Sequence, residues 1–330
     1  MKKSIYIFSA GEISRKDNTL MFESEKGKKY IPVEDTKEIY LFGEVNFNKR
    51  LLEFISQKEI IIHMFNHYGY YTGTFYPREH LNSGYMILHQ AKAYLDDDHR
   101  LSIARQFVSG AMLNMLAVLK YYENRGKELE GIRDDVFKFK DNLKEMKTIE
   151  TLMAQEGNAR EKYYNAFDRI IGNDHFLFEG RSRRPPLNRL NALISFGNSL
   201  MYSVVLSEIY KTHLDPRIGY LHSTNFRRFS LNLDIAEIFK PIIVDRMIFT
   251  LIGKRMVNEK DFEKDLQGIV LNDKGRRIFA EEFENRLTTT VQHRQLNKTV
   301  SYRTLIRMEV YKLQKELIGE ESYEPYVTRW

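Results

Sequence analysis

At 330 residues the chain is longer than the roughly 250 to 300 at which a single core stops growing, so two domains are expected. Its 42% apolar, 13% aromatic and 29% charged residues exclude a largely disordered chain, and the absence of cysteine excludes disulfides, thiolate zinc sites and a cysteine nucleophile. The net charge of +6 is moderate, so the placing of the cations says more than their sum.

Residues 1–80 read in period two. "SIYIFS", "TLMFES", "KYIPVE", "EIYLFG", "IIIHMF" and "TGTFYP" are short, rich in β-branched and aromatic residues, and separated by turn signals. "SEKGKK" marks a hairpin loop, and "NKRLLEFISQKE" (48–59) is the one helix expected among the strands. A small sandwich-like β-domain is the simplest architecture for such a set. The aromatic-rich "HYGYYTGTFY" (67–76) reads as sheet packing rather than as a platform for stacking bases.

From about residue 82 the period changes to 3.6. Leu101, Ala104, Phe107, Val108, Ala111, Met115, Leu119 and Tyr122 make one apolar stripe, and further helices are expected at about 140–171, 188–212, 230–253, 274–290 and 301–318. Only "GIVL" (268–271) interrupts this pattern, so residues 81–330 are expected to form a larger all-α domain, with a tight connection near 79–88. The fold class is therefore α+β. The tract 190–210 is long enough to span a bilayer, but Asn191, Ser195, Asn198, Ser199 and Glu208 interrupt it, and it reads as a buried central helix. The apolar run at the start is broken by Gly11, Glu12 and Arg15, too early for a signal peptide; no membrane partner and a cytoplasmic location are expected.

Three acids and a histidine stand out. Asp234 and Glu237 lie among Leu231, Leu233, Ile235, Ile238 and Phe239, and an ionised carboxylate removed from water costs several kcal/mol unless it is paired or binds a metal. Glu156 falls on the inward stripe marked by Leu152, Ala159, Tyr163, Phe167 and Ile170. Each has an ordinary explanation: an ion pair from Glu156 to Arg160 one turn on, a hydrogen-bonded turn residue for His222, and a helix N-terminal acidic pair for Asp234 and Glu237. Together they lie between arginine-rich segments, and their oxygen and nitrogen donors suit Mg²⁺ or Mn²⁺. Read from the residues alone, this is a metal-dependent enzyme acting on phosphodiesters. Without metal, Glu156, Asp234 and Glu237 are expected to raise one another's pKa, so that Glu156→Ala leaves the metal-free melting temperature level or higher.

The basic residues cluster. "RSRRPPLNR" (181–189) and "NFRR" (225–228) place Arg181, Arg183, Arg184, Arg227 and Arg228 in segments adjoining these acids, where they are expected to grip DNA phosphates.

"LDPRIGYLHSTNFRRFSLNLDIAEIFKPIIVDR" (214–246), "EGNAREKYYNAF" (156–167) and "RRPPLNRLNALISFGNSLMY" (183–202) resemble the motifs of the CRISPR-associated adaptation integrases, the Cas-one family, over essentially the full chain. By position, the resemblance implies that Glu156, His222 and Glu237 are catalytic metal ligands. Many relatives have aspartate at the position of Glu237. Asp234 matches a second acidic position beside the metal, where it would orient a ligand or water, and Lys240 stands where other members often carry arginine, as a phosphate contact. The implied fold is a small N-terminal β-domain, used for dimerisation, followed by a helical catalytic domain. The implied activity joins the 3′-hydroxyl of a prespacer to a CRISPR repeat by transesterification with Mg²⁺ or Mn²⁺, on double-stranded DNA, as a homodimer assembled with the Cas-two protein. A stand-alone metal nuclease on branched DNA and a non-catalytic DNA-binding architectural subunit are the alternatives. No phosphate-binding GxxxxGK[ST] loop is present, in keeping with a reaction that needs no nucleotide hydrolysis.

Overall fold

The computed structural model describes residues 2–77, 81, 83–222, 229–265, 268–293 and 297–329. The connection expected near 79–88 and the pair Arg227 and Arg228 fall wholly or partly outside the described residues. Two compact units emerge, residues 1–80 with 273–280, and residues 81–272 with 281–330.

The first unit contains two four-stranded sheets. β1 (Lys3–Ile7), β5 (Thr36–Leu41), β7 (Ile61–Phe65) and β8 (Tyr71–Phe75) form one, in the order β1-β5-β7-β8. β4 (Gly27–Ile31), β3 (Thr19–Ser24), β2 (Gly11–Lys16) and β6 (Val45–Asn46) form the other. β1, β5 and β7 run parallel, which a two-residue hairpin cannot achieve; the crossover from β5 to β7 is made by α1 (Lys49–Gln57). Asn48 caps α1 by accepting from the Leu51 amide at 3.1 Å, and the spacing of Leu51, Phe54 and Ile55 turns all three into the core. That core draws Ile39, Leu41 and Ile62 from the first sheet and Ile13, Leu20 and Phe22 from the second. Burying each of α1's three apolar side chains contributes about 1.5–3 kcal/mol before the entropy of ordering them is counted. β2 has no counterpart among the expected strands because only Ile13 of its six residues is buried, too few for an alternation to show.

The second unit is helix-rich, as expected, and also carries two short hairpins. α2 (Gly84–Leu95), α3 (Asp97–Glu123), α4 (Glu130–Asp141), α5 (Ile149–Tyr164) and α6 (Phe167–Ile171) precede the central α7 (Arg189–Tyr210). α8 (Leu231–Lys240), α9 (Arg246–Gly253), α10 (Asp273–Thr288) and α11 (Tyr302–Leu317) follow. "GIVL" is β10 (Gly268–Leu271), paired with β9 (Phe262–Asp265), while β11 (Thr290–His293) and β12 (Lys298–Ser301) make a hairpin that the sequence pattern does not show. The start of α10 belongs with the β unit: Arg276 donates to the His67 carbonyl, and the Arg277 guanidinium lies 5.2 Å from the Phe8 ring centroid.

α7 is buried on nearly every side, which explains its apolar, membrane-like length. α3 and α7 pack against α8. The single helix expected over 140–171 is instead broken twice, by a 3₁₀ turn at Asn142–Glu145 and by the Asn165 C-cap of α5. The helix expected over 230–253 is also interrupted. Pro241 has no N–H to offer the carbonyl of Glu237, and the backbone widens into a π turn over Pro241–Asp245 before α9 begins.

Candidate metal and DNA site

The site is built around α8, which carries Asp234, Glu237 and Lys240, all buried. Residues 215–219, ahead of it in the chain, are fixed from two sides. Gln90 of α2 closes a pair of hydrogen bonds on the backbone of Asp215, accepting from its amide at 2.7 Å and donating to its carbonyl at 3.1 Å. Ser230 accepts from the Gly219 amide at 2.9 Å and donates to the Arg217 carbonyl at 2.7 Å. Gly219 is needed for this approach, because a Cβ there would stand 2.7 Å from the Ser230 carbonyl carbon and 2.8 Å from the Asp234 carboxylate.

Asp234 answers part of the question raised by buried acids in an apolar run. Its carboxylate accepts from the amides of Tyr220, Leu221 and His222 at 2.6, 3.0 and 2.9 Å, and it holds Nδ1 of His222 at 2.7 Å. The loop is thereby wrapped around one carboxylate. With Nδ1 engaged, Nε2 is the nitrogen left to bind a ligand. Burial by itself would lower the pKa of His222, but the hydrogen bond and charge of Asp234 and the charge of Glu237 outweigh it, and the pKa is raised.

Glu237 and Glu156 meet cations. Glu156, on α5, accepts from Arg160 Nε at 2.7 Å; Arg160 Nη2 reaches Glu237 at 2.5 Å; and the other oxygen of Glu237 accepts from Lys240 at 2.6 Å. Lys240 also donates to the Tyr202 hydroxyl at 3.3 Å. Two carboxylates thus match two cations. The expectation that the acids raise one another's pKa is overturned for Glu237: burial pushes its pKa up, but Lys240, Arg160 and His222 bring it down to about 2. The pKa of Lys240 moves the opposite way: burial lowers it, but the charge of Glu237 outweighs burial and it is raised.

The structure joins Glu156 to Glu237 through Arg160 and joins His222 to Asp234, but among the described residues no group of three or more acidic or histidine side chains stands close enough to hold a metal as it is. The donors themselves, two carboxylates and an imidazole with one nitrogen fixed, fit a hard divalent cation. Arg183 and Arg184 are exposed. Arg181 turns inward instead, donating to Asn191 at 3.0 Å and Ser195 at 3.1 Å, and Lys240, at 4% exposure, is similarly committed to the interior.

Two further residues belong to the site: the sequence suggests Arg160 only as an ion-pair partner of Glu156, and Asp245 not at all. Arg160 reaches Glu237 across 77 positions, and only its pairing with Glu156, four residues away, leaves a trace in the sequence. Asp245, at 1% exposure, is held to a pKa of about 7 by burial, with Arg160 and Lys240 partly offsetting that effect. It too is an acid in an apolar run, the signal that drew attention to Asp234.

The profile of the family described as CRISPR associated protein Cas1 matches residues 5–285. A CRISPR-associated endonuclease Cas1 of Thermodesulfovibrio yellowstonii is 62% identical over 330 residues, covering 100% of both chains. The solved structure of a Cas1 protein from Thermotoga maritima superposes with a TM-score of 0.90 at 51% identity, covering 98% of this chain and 99% of that one. A casposase bound to its integration product shares the fold at a TM-score of 0.89 and 22% identity, over 100% of this chain and 96% of the other. Matched along its whole length by relatives of this kind, the chain belongs to the Cas1 family of CRISPR-associated proteins.

Proposed function

We propose that this chain is a divalent-metal-dependent DNA integrase and endonuclease of CRISPR adaptation, joining prespacer 3′-hydroxyl ends to the repeat by transesterification. The observation that carries the reading is the imidazole of His222, locked through Nδ1 by Asp234 on the same helix as Glu237. Glu156, His222 and Glu237 are the residues that would hold Mg²⁺ or Mn²⁺. When bound, such an ion supplies charge stabilisation for the phosphoryl oxygens and the attacking alkoxide. Asp234 keeps Nε2 of His222 pointed for ligation, while Arg160 and Lys240 hold Glu237 in one orientation. In the reaction the 3′-hydroxyl oxygen forms a new bond to phosphorus, the old ester oxygen leaves as an alcohol after taking a proton, and the number of phosphodiesters is unchanged.

DNA is gripped by Arg183 and Arg184 and by Arg227 and Arg228, while Arg181 braces the loop that carries the first pair. Residues 1–80 are read as the dimerisation domain, and the Cas-two protein as the partner in a larger cytoplasmic complex. Support comes from the relatives that bear the endonuclease name and from the close fit to a solved Cas1.

The test is strand joining of prespacer ends to a supercoiled repeat-containing plasmid. Joining is expected with Mg²⁺ or Mn²⁺ and lost in EDTA; full-rate joining in EDTA would remove the metal from the account. The pH profile adds a second reading. His222 must be neutral to bind a metal, and Asp234 and Glu237 favour its protonated form, so the rate should fall as pH is lowered and the imidazole protonates. A rate that stays level as pH is lowered through the imidazole range would show that His222 does not limit the reaction. The stabilisation from the His222–Asp234 pair runs the other way, being complete below 6.5 and lost as pH rises through the raised value.

A further inference from the structure

We infer that the C-terminal strap, residues 323–328, is a positioning device for α8, acting through Asn114; this rests on the reading of Glu237 as a ligand. Asn114 lies in the middle of α3 and is fully buried. Its amide nitrogen donates to the carbonyl of Ile238 and to the carbonyl of Tyr326, both at 2.9 Å, and its oxygen accepts from the Thr328 amide at 2.8 Å. One side chain therefore ties α3, the strap and the residue next to Glu237 into a single unit.

The tie falls at the end of α8, next to Pro241. Pro241 removes the donor that would bond the Glu237 carbonyl in an α ladder, and the π turn follows directly, so the regular α ladder ends at this turn of α8. The strap adds a contact of its own at this end of α8. The Tyr326 ring stacks on Phe239 with centroids 5.9 Å apart and planes 9° from parallel. Its amide donates to Glu309 of α11, at 3.1 Å and 3.2 Å to the two oxygens, and the Tyr323 hydroxyl donates to the same carboxylate at 2.6 Å. Gly110 shows how closely the strap is seated, since a Cβ there would lie 2.5 Å from Cβ of Pro325. Asn114 and Tyr326 are thus positioning residues, touching neither substrate nor reacting atoms.

Three readouts on the full chain test this: hydrogen exchange of the α8 amides, joining rate, and duplex affinity. Tyr326→Ala removes the stack, and Gly110→Ala displaces Pro325 without altering any residue of α8. Both should speed exchange over residues 234–240 by about ten-fold or more. They should slow joining by about 10- to 100-fold, as small misplacements of a reacting constellation do. Duplex Kd should stay within about two-fold of the parent. Tyr326→Phe, which keeps the ring, should restore all three. Unchanged α8 exchange in both variants would overturn the inference, as would faster exchange with undiminished joining. If the parent itself joins nothing under any metal, the proposed function fails, and α8 exchange still decides the role of the strap.

Discussion

Glu156→Gln should reduce strand joining by about 10²- to 10³-fold, the loss expected when a preorganised charged group at a reacting centre is removed, while duplex binding stays at the parental level. The substitution keeps the size of the side chain and takes away the charge that meets Arg160 at 2.7 Å. A nuclease on branched DNA would lose cleavage in the same way, so the assay must follow joined product rather than nicked plasmid. An architectural subunit would keep all of its DNA function. The stability consequence differs from the one that sequence alone suggests. Because Glu156 is paired with Arg160 rather than crowded against other acids, Glu156→Ala should lower the metal-free melting temperature, not hold or raise it. The drop should be modest, since Arg160 retains Glu237.

Glu237→Ala should be far more damaging to the fold. It takes from Lys240 its carboxylate partner at 2.6 Å, leaving it the Tyr202 hydroxyl at 3.3 Å, and halves the counter-charge of Arg160, and the side chains of all three charged residues are 8% exposed or less. Leaving buried charge uncompensated costs about 3–5 kcal/mol, which chemical denaturation measures directly. The acid limb gives a check with a definite sign. The pKa of Glu237 is depressed to about 2, so its stabilisation is present above the unfolded value of 4.5 and is lost as pH falls from there toward 2. The parent should lose stability through that window more steeply than Glu237→Ala. Equal slopes, or a loss under about 1 kcal/mol, would mean that Arg160 and Lys240 find other partners.

How far the sequence carried depends on the range of the interactions. Strands such as β5 and β7 announce themselves because their short runs of β-branched and aromatic residues, buried almost throughout, lie within a few positions, and so does the inward face of α5. β2 does not, since one buried residue makes no period. Placement in apolar patterns singled out Glu156, His222, Asp234 and Glu237 and the resemblance implied their roles, yet neither could show that Arg160 joins α5 to α8 or that Asp234 takes the amides of Tyr220, Leu221 and His222. Those contacts cross long separations and depend on how the helices pack. Arg181 was grouped with its neighbours by charge alone, whereas the structure separates it from them: its guanidinium reaches Asn191 and Ser195 on α7. The break in the 230–253 helix was legible in principle, because Pro241 stands in plain view; the width of the resulting π turn was not.

The balance of two carboxylates against two cations bears on metal binding. A divalent ion entering this cluster brings surplus positive charge, which the phosphates of bound DNA would offset. The most direct test of the central claim is therefore Mn²⁺ bound per chain at equilibrium, with duplex ends present, for the parent, Glu156→Gln and His222→Ala. The account predicts saturable binding by the parent that follows the same concentration dependence as joining, and loss of both in either variant. Parental Mn²⁺ binding in the two variants, or joining by the parent with no Mn²⁺ or Mg²⁺ bound, would contradict it.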